Sequence, residues 1–270
     1  MTEIDQFSLT TVPLELFYKN PRTAAETPLG TATSFIWKHR DNRHFLITNW
    51  HVVSGRDAMT RKSLKSHGGR PNMARAYFNF PGYEFGKSQA DVYIRDQEEV
   101  PIWFIHPIEG AYVDVVAIPL IDAENNPTIK LFPINPLSAE GLIVRISMEV
   151  FILGYPFGPE PPGFPVWKRG NIASEPDLVQ LGPKHLLVDT ASLKGMSGSP
   201  VIRRSWTNHM VNANYTADNS RVATKFIGVY SGRRLGPHKT DTQLGMVWPA
   251  SYITEIIEIG KRDDDNLYIS

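Results

Sequence analysis

The chain has 270 residues and no cysteine, and its 28 basic side chains balance its 28 acidic ones. Disulfide, thiol-nucleophile and zinc–thiolate chemistry are therefore excluded, and the zero formal net charge gives no global attraction to nucleic acid or to an anionic membrane. Hydrophobic residues make up 41% of the chain, which is enough to bury the core of one large domain or of two small ones.

The N-terminal segment MTEIDQFSLTTVPLELF carries early acidic residues and no unbroken apolar run, so we predict that it is not a signal peptide. The most apolar stretch, 142–153, is interrupted by Arg145 and Glu149. It is also shorter than the roughly 20 apolar residues that span a bilayer. We expect a soluble protein without a transmembrane segment, and the lack of cysteine favours a cytoplasmic location.

Short β-rich runs, separated by Gly, Pro and Asn, follow one another along most of the chain. They are rich in Val, Ile, Phe and Tyr, which favour strands. Many scattered strands with few helices predict an all-β barrel or sandwich. The predicted strands cover residues 32–38, 45–49, 92–94, 115–119, 143–147, 150–154, 185–189, 201–202 and 226–230.

Two polar segments are predicted to be surface loops, and a third segment near the C-terminus is predicted to be a helix. Residues 56–87 are rich in basic side chains; we interpret them as a long solvated loop, with a patch for an anionic partner as the less favoured alternative. A second polar loop is predicted over 208–221. Isoleucines at 253, 256 and 257 form an apolar stripe that predicts a helix near 251–259, closed by Gly260. The polar tail that follows, KRDDDNLYIS, is expected to fray.

Three short motifs carry a candidate reaction. TNWHVV supplies the imidazole of His51, YVDVVA supplies Asp114 between valines, and GMSGSP supplies Ser197 between glycines. Serine is a poor nucleophile without a neighbouring base, and the base needs a carboxylate to hold it. A carboxylate within an apolar run is costly unless it is hydrogen-bonded. The order His51, Asp114, Ser197 therefore predicts nucleophilic attack on an acyl carbon.

These motifs resemble those of the trypsin-like (chymotrypsin-fold) serine peptidases, especially the cysteine-free bacterial members, over about residues 30–257. The resemblance implies an all-β fold of two antiparallel six-stranded β-barrels with a short C-terminal helix. Residues 1–130 would form the barrel that carries His51 and Asp114. Residues 131–270 would form the barrel that carries Ser197, and the active site would lie between the two.

The resemblance also implies a serine endopeptidase that acts on a polypeptide substrate without a cofactor or metal. Ser197 Oγ would attack the scissile carbonyl, His51 would transfer the proton, and Asp114 would hold His51. The backbone N–H groups of Gly195 and Ser197 would form the oxyanion hole. The other histidines show no metal-binding spacing.

A strand after the nucleophile is similar to the family's substrate-lining strand. The resemblance implies that substrate adds there as a β-strand, along the edge formed by Tyr230, Ser231 and Gly232. Ser231 could instead support the aspartate. Ala191 would form the floor of the specificity pocket and offers no carboxylate for Lys or Arg. We expect a small or medium apolar side chain in the pocket, while Arg233 and Arg234 leave an acidic one open.

Two departures from the family pattern keep an alternative open. Met196 stands where secreted digestive members carry an aspartate that pairs with a freed N-terminus, and Ser199 replaces a second glycine. The alternative is a catalytically silent peptide-binding or sensor module on the same fold. An esterase of the α/β-hydrolase class is less favoured, because its triad runs in the order Ser, acid, His.

Overall fold

The computed structural model describes residues 4–64, 69–121, 125–160, 163–179, 184–191, 193–206, 222–233 and 243–264. Within these ranges, twelve β-strands account for most of the regular structure, with three short α-helices beside them. The first six strands in chain order form one antiparallel sheet, and the last six form a closed antiparallel barrel. The fold is therefore mostly β and has two halves.

The first half is a six-stranded sheet with the strand order β5-β4-β1-β2-β3-β6. Buried apolar side chains on its inner face, such as Leu14, Ile36 and Leu46, pack into one core. Along β1 and β4 they recur at every second position, because successive side chains of a strand point to opposite faces of the sheet. The strands are β1 (Thr11–Lys19), β2 (Glu26–Lys38), β3 (His44–Thr48), β4 (Met73–Phe80), β5 (Tyr83–Tyr93) and β6 (Val116–Pro119).

The second half closes into a barrel with the order β10-β11-β12-β9-β8-β7. Val150, Ile152, Val188, Val201 and Val247 fill its interior, because inward and outward side chains alternate along each strand of a barrel. The strands are β7 (Glu149–Gly154), β8 (Val166–Ile172), β9 (Leu186–Asp189), β10 (Pro200–Ser205), β11 (Ala223–Arg233) and β12 (Leu244–Pro249).

A shared apolar cluster joins the two halves. Phe35 and Phe45 of the first sheet lie in it together with Ile202 and Trp248 of the barrel. The short helix α1 (Gln6–Thr10) also reaches the barrel, since Trp167 Nε1 donates to the hydroxyl of Ser8 at 2.9 Å. The two halves therefore pack as one body, with α1 lying against the barrel although it precedes β1 in the chain.

The predicted C-terminal helix is confirmed as α3 (Ser251–Ile259), which ends at Gly260 in the left-handed region. The prediction that the following tail frays is wrong for its first residues. The amide of Ile105 donates to the carbonyl of Lys261 at 2.9 Å, and Asp263 is only 2% exposed. The tail thus returns from the barrel to the first sheet.

Two expectations about the strands are wrong. The first sheet does not close into a barrel: in the described residues β5 and β6 are its edges, and beside β6 only single bridges of Phe104 to Ala117 and to Arg262 continue the pairing. The strand predicted over 143–147 is absent; the segment is irregular, with Ser147 at a φ of 69°. Its Val144 packs against the barrel core, which explains the apolar pattern.

The segment 56–87 is not one long loop, because it contains β4 and the start of β5. Its basic residue Arg75 lies on the outer face, paired with Asp91 and Glu26, and this charge masked the strand pattern. The predicted strands also omit β1, β8 and β12. The predicted loop at 208–221 and Arg234 lie outside the described residues. Over the part of the chain that is described, no helix has the length and apolar character needed to span a membrane.

Candidate active site

The histidine motif places His51 in the first turn of α2 (Trp50–Ser54), directly after β3. Asn49 precedes this helix, but its side chain does not cap it; Asn49 Nδ2 donates to the carbonyl of Asp114 at 2.7 Å. The backbone N–H of His51 donates to Asp114 Oδ1 at 2.8 Å. These two hydrogen bonds, neither of which involves the imidazole, therefore connect the loop before β6 to the start of α2.

Asp114 is 3% exposed, and its carboxylate is fully engaged. Its Oδ2 accepts from His51 Nδ1 at 2.6 Å and from the hydroxyl of Ser231. Together with the bond from the His51 amide to Oδ1, three donors surround the buried carboxylate. Such bonds offset the cost of burying a charge. They also select the His51 tautomer that carries its proton on Nδ1 and leaves Nε2 free to act as a base.

The environment of His51 raises its pKa above the ordinary value. Burial acts in the opposite direction and is the largest single influence, since a low dielectric disfavours the imidazolium. The charge and hydrogen bond of Asp114 outweigh it, with a smaller contribution from the carboxylate of Asp57. The site therefore favours the protonated imidazolium, the form that a general base passes through during catalysis.

The nucleophile motif forms a tight loop before β10, and its glycines permit that shape. Gly195 and Gly198 have φ values of +83° and +84°. A Cβ on Gly195 would lie 2.5 Å from the carbonyl oxygen of Tyr155, and one on Gly198 would lie 2.1 Å from that of Thr33. Both positions therefore require glycine, for conformation and for space.

Thr33 of β2 holds this loop against the first sheet, and sequence reasoning missed it. Its backbone N–H donates to the carbonyl of Ser197 at 2.9 Å, and its hydroxyl donates to the carbonyl of Gly195 at 2.8 Å. The amide of Tyr155 in turn donates to the Thr33 hydroxyl at 3.0 Å. One threonine thus connects the two halves of the molecule at the nucleophile.

The predicted oxyanion donors are available. Within the described part of the chain, the amides of Gly195 and Ser197 donate to no protein acceptor, whereas the amide of Gly198 donates to the carbonyl of Tyr230 at 2.9 Å. The two N–H groups are thus not spent on internal bonds, and their role as an oxyanion hole stays a prediction.

Strand β11 brings the nucleophile loop to the acid and base. A Cβ on Gly232 would lie 4.0 Å from Ser197 Oγ, and the preceding residue, Ser231, donates its hydroxyl to Asp114. Of two consecutive residues of β11, Ser231 therefore bonds to the partner of His51, and Gly232 lies near Ser197. All three predicted catalytic residues lie around this short stretch.

The two departures from the family pattern are packed inside the barrel. Met196 is 1% exposed and belongs to the barrel core, against Gly154. Ser199 is fully buried, and its hydroxyl has no hydrogen-bond partner among the described residues. Met196 thus anchors the loop by apolar packing, at the position where the secreted digestive members carry an aspartate that pairs with a freed N-terminus.

The predicted substrate-binding residues have different surroundings. Tyr230 is 1% exposed in the barrel core, and its backbone groups bond to Ser199 and Gly198. Pairing between β11 and β12 shifts register after Tyr230, so Ser231 and Gly232 have no regular partner on β12. Ala191 is exposed in the loop after β9, and its place in a specificity pocket stays a prediction.

A cavity of about 190 Å³ lies beside the loop, on the side of Tyr155. Phe157, Phe164 and Val166 give it an apolar lining, with Glu160 as its charged member. Tyr155 and Pro156, which line this cavity, also lie against the backbone at Gly195.

A family model described as trypsin-like peptidase domain matches residues 32–208, which is more than half of the chain. The chain belongs to this family. The matched part of the peptidase domain contains His51, Asp114 and Ser197, while β11, β12 and α3 follow it. No curated protein matches the sequence. Among the residues that the structure describes, no cluster of three or more His, Asp or Glu side chains could hold a metal ion in this peptidase domain.

Proposed function

We propose that the protein is a serine endopeptidase that cleaves peptide bonds through His51, Asp114 and Ser197 and a covalent acyl-enzyme. The observation that carries the proposal is the 2.6 Å bond from His51 Nδ1 to a buried Asp114 that two further donors hold. A carboxylate placed in this way has a clear chemical use, because it orients the imidazole and stabilises its cationic form. Membership of the trypsin-like peptidase family supports the same reaction class.

In the proposed reaction, Ser197 Oγ attacks the scissile carbonyl carbon while His51 Nε2 takes the hydroxyl proton. The amides of Gly195 and Ser197 donate to the oxyanion of the tetrahedral intermediate. The intermediate collapses, and His51 gives its proton to the departing amine. Water then attacks the acyl-enzyme with His51 again as base, which restores the Ser197 hydroxyl and releases the carboxylic acid.

The substrate would lie along the Ser231–Gly232 edge of β11, where regular pairing to β12 is interrupted. Its backbone could add there as an antiparallel strand, so that main-chain hydrogen bonds align the scissile bond with Ser197. We propose a small or medium apolar side chain before the scissile bond, since Ala191 brings no charge to the predicted pocket. An acidic side chain is the alternative that Arg233 keeps open.

Active-site labelling tests the proposal. A biotinylated phosphonofluoridate should label the wild-type protein at Ser197, and the Ser197→Ala variant should lose both the label and cleavage of a peptide library. Ser199→Ala is the matched control: it removes a hydroxyl two residues away that lies buried in the barrel, so it should keep label and cleavage. Peptide binding by a folded wild-type protein that never acquires the label would contradict the proposal and favour the silent binding module.

A further inference from the structure

The C-terminal tail places a buried carboxylate between two tryptophans of the first half. Asp263 is 2% exposed. Its Oδ2 accepts from Trp50 Nε1 at 2.7 Å and from Trp103 Nε1 at 3.1 Å, and its backbone N–H donates to the carbonyl of Trp103 at 3.3 Å. The bond to Trp50 joins residues that are 213 positions apart in the chain. The tail is thus an integral part of the first core.

Two arginine side chains lie over the faces of these two indole rings. The guanidinium of Arg95 lies 5.0 Å from the ring centre of Trp103, and that of Arg61 lies 4.9 Å from that of Trp50. Each indole therefore donates its N–H to a carboxylate while its face lies against a cation, an arrangement in which both contacts are favourable. The position and orientation of the Trp50 ring are fixed from two directions.

Trp50 is the first residue of α2 and immediately precedes His51. The helix has only five residues, so its own hydrogen bonds cannot hold it rigidly. Trp50 is fully buried, and because a core is close-packed, a displacement of its ring is expected to shift the backbone of α2 that carries the imidazole. Asp114 fixes His51 from one side, while the Trp50–Asp263 bond fixes the adjoining residue from the other.

We propose that Asp263 is a positioning residue for His51, so that the C-terminal tail holds the general base in its productive orientation through Trp50. The inference rests on the proposed function, in which His51 accepts the Ser197 proton. Asp263 touches neither substrate nor the reacting atoms; it acts on the backbone of α2. Its loss should therefore lower kcat and leave KM nearly unchanged, since the substrate edge on β11 is not altered.

Asp263→Asn tests this with little change of shape, and Asp264→Asn is the matched control because Asp264 is exposed and adjacent. We expect Asp263→Asn to lower kcat by about 10- to 100-fold, the range that follows from a misplacement of about 1 Å. Asp264→Asn should leave kcat unchanged. Trp103→Phe removes the other indole bond to Asp263, so it should lower Tm but change kcat far less than Asp263→Asn.

Trp50→Phe, alone and combined with Asp263→Asn, gives a double-mutant cycle. If the two residues act through one bond, the double variant should lose no more kcat than the more affected single variant. Equal kcat in Asp263→Asn and Asp264→Asn would overturn the proposal, as would fully multiplicative losses in the cycle. If Trp50→Phe does not fold, the comparison of kcat between Asp263→Asn and Asp264→Asn still tests the proposal.

A readout independent of turnover separates this proposal from the proposed function. We expect the proton between His51 Nδ1 and Asp114 to give a far-downfield NMR signal. That signal should shift or broaden in Asp263→Asn and stay unchanged in Asp264→Asn and Trp103→Phe. If the wild type neither labels nor cleaves but this pattern holds, the endopeptidase assignment fails and the positioning contact stands. If the signal is the same in all variants of an active enzyme, the positioning role fails.

Discussion

The two halves of the molecule hold their catalytic groups by different means. In the open first sheet, side-chain hydrogen bonds fix His51 and Asp114, and the C-terminal tail packs beside Trp50. In the closed barrel, the buried Met196 and the turns at Gly195 and Gly198 hold the Ser197 loop. The proposed general base is therefore held mainly by hydrogen bonds to side chains, whereas the proposed nucleophile loop is held by packing, backbone shape and hydrogen bonds to its backbone.

This difference follows from what each group must do. The imidazole becomes charged during the reaction, so a buried carboxylate must be provided and satisfied in advance. In the nucleophile loop, the amides of Gly195 and Ser197 must stay unengaged. Packing, glycine conformations and hydrogen bonds to the loop's carbonyls, such as those from Thr33, therefore fix it. Substitution of Asp114, which supports His51 directly, should thus affect rate more than stability, whereas substitution of the residues that shape the Ser197 loop should affect stability more.

The largest effect is expected for Asp114→Asn. The amide nitrogen would face His51 Nδ1 and select the wrong tautomer, so kcat/KM should fall by about 10,000-fold, with folding retained because the side chain keeps its size. Steady-state cleavage of a peptide ester or amide measures the loss. Asp177→Asn, an exposed position in the barrel half, should show none. A loss below tenfold for Asp114→Asn would mean that the polar contacts of the first half are dispensable.

Gly198→Ala tests the backbone shape of the loop against a control of equal strain. Gly82 has a similar φ of +74° and no atom within 4 Å of a Cβ, whereas a Cβ on Gly198 meets Thr33 and Thr48. Gly82→Ala should cost about 1–3 kcal/mol of unfolding free energy from strain alone. Gly198→Ala should cost about 1–3 kcal/mol more from the clash. Urea denaturation of both variants gives the difference, and equal values would show that the loop can move away from the first sheet.

Met196→Ala tests the apolar anchor of the nucleophile loop. Truncation of a fully buried methionine should lower the free energy of unfolding by about 2–5 kcal/mol, while Met196→Leu should lower it by less than about 1.5 kcal/mol. Met59 is 61% exposed, so Met59→Ala should change it by no more than about 0.5 kcal/mol. If Met196→Ala retains wild-type stability, the packing account of the barrel half is wrong.

The pH dependence of kcat/KM should show the raised pKa of His51. The base is active when neutral, so activity should rise with pH and reach half its maximum above pH 6.5, the ordinary value. Asp57→Asn removes a nearby negative charge and should move this rising part of the pH profile to lower pH. By linkage, the raised pKa adds stability at low pH that is lost as pH rises through the folded-state value. A half-maximum at or below pH 6.5 would contradict the proposed balance of burial and charge.

The proposed catalytic residues could be selected from the sequence because each motif carries its chemistry within a few positions: a histidine after a strand, an aspartate among valines and a serine between glycines. Their supports could not be. Thr33 is one β-branched residue in a strand that favours such residues, and Asp263 lies in a tail whose composition resembles a solvated terminus. Both act across more than 100 positions, and sequence pattern reports local structure only.

The open first sheet was unpredictable for a related reason. Whether a sheet closes depends on how its two edge strands meet, which is a property of register and twist across the whole sheet. The pattern of β5 and β6 indicates strands but not their partners. Here residues near Phe104 and the tail at Arg262 lie beside β6, so segments far apart in the chain occupy the place where a closing strand was expected.

The smallest expected effect distinguishes the two halves through buried hydroxyl groups. Ser34 and Ser199 are both fully buried, but Ser34 Oγ donates to the carbonyl of Val12 at 2.9 Å while Ser199 Oγ has no partner among the described residues. Ser34→Ala removes this hydrogen bond and should lower the free energy of unfolding by about 1 kcal/mol. Ser199→Ala removes an unsatisfied group and should raise it by a similar amount, about 1 kcal/mol. Urea denaturation should therefore show opposite changes in the free energy of unfolding for the two variants. A loss of stability in both would show that the Ser199 hydroxyl has a partner. The contrast between the two halves would then not extend to this position.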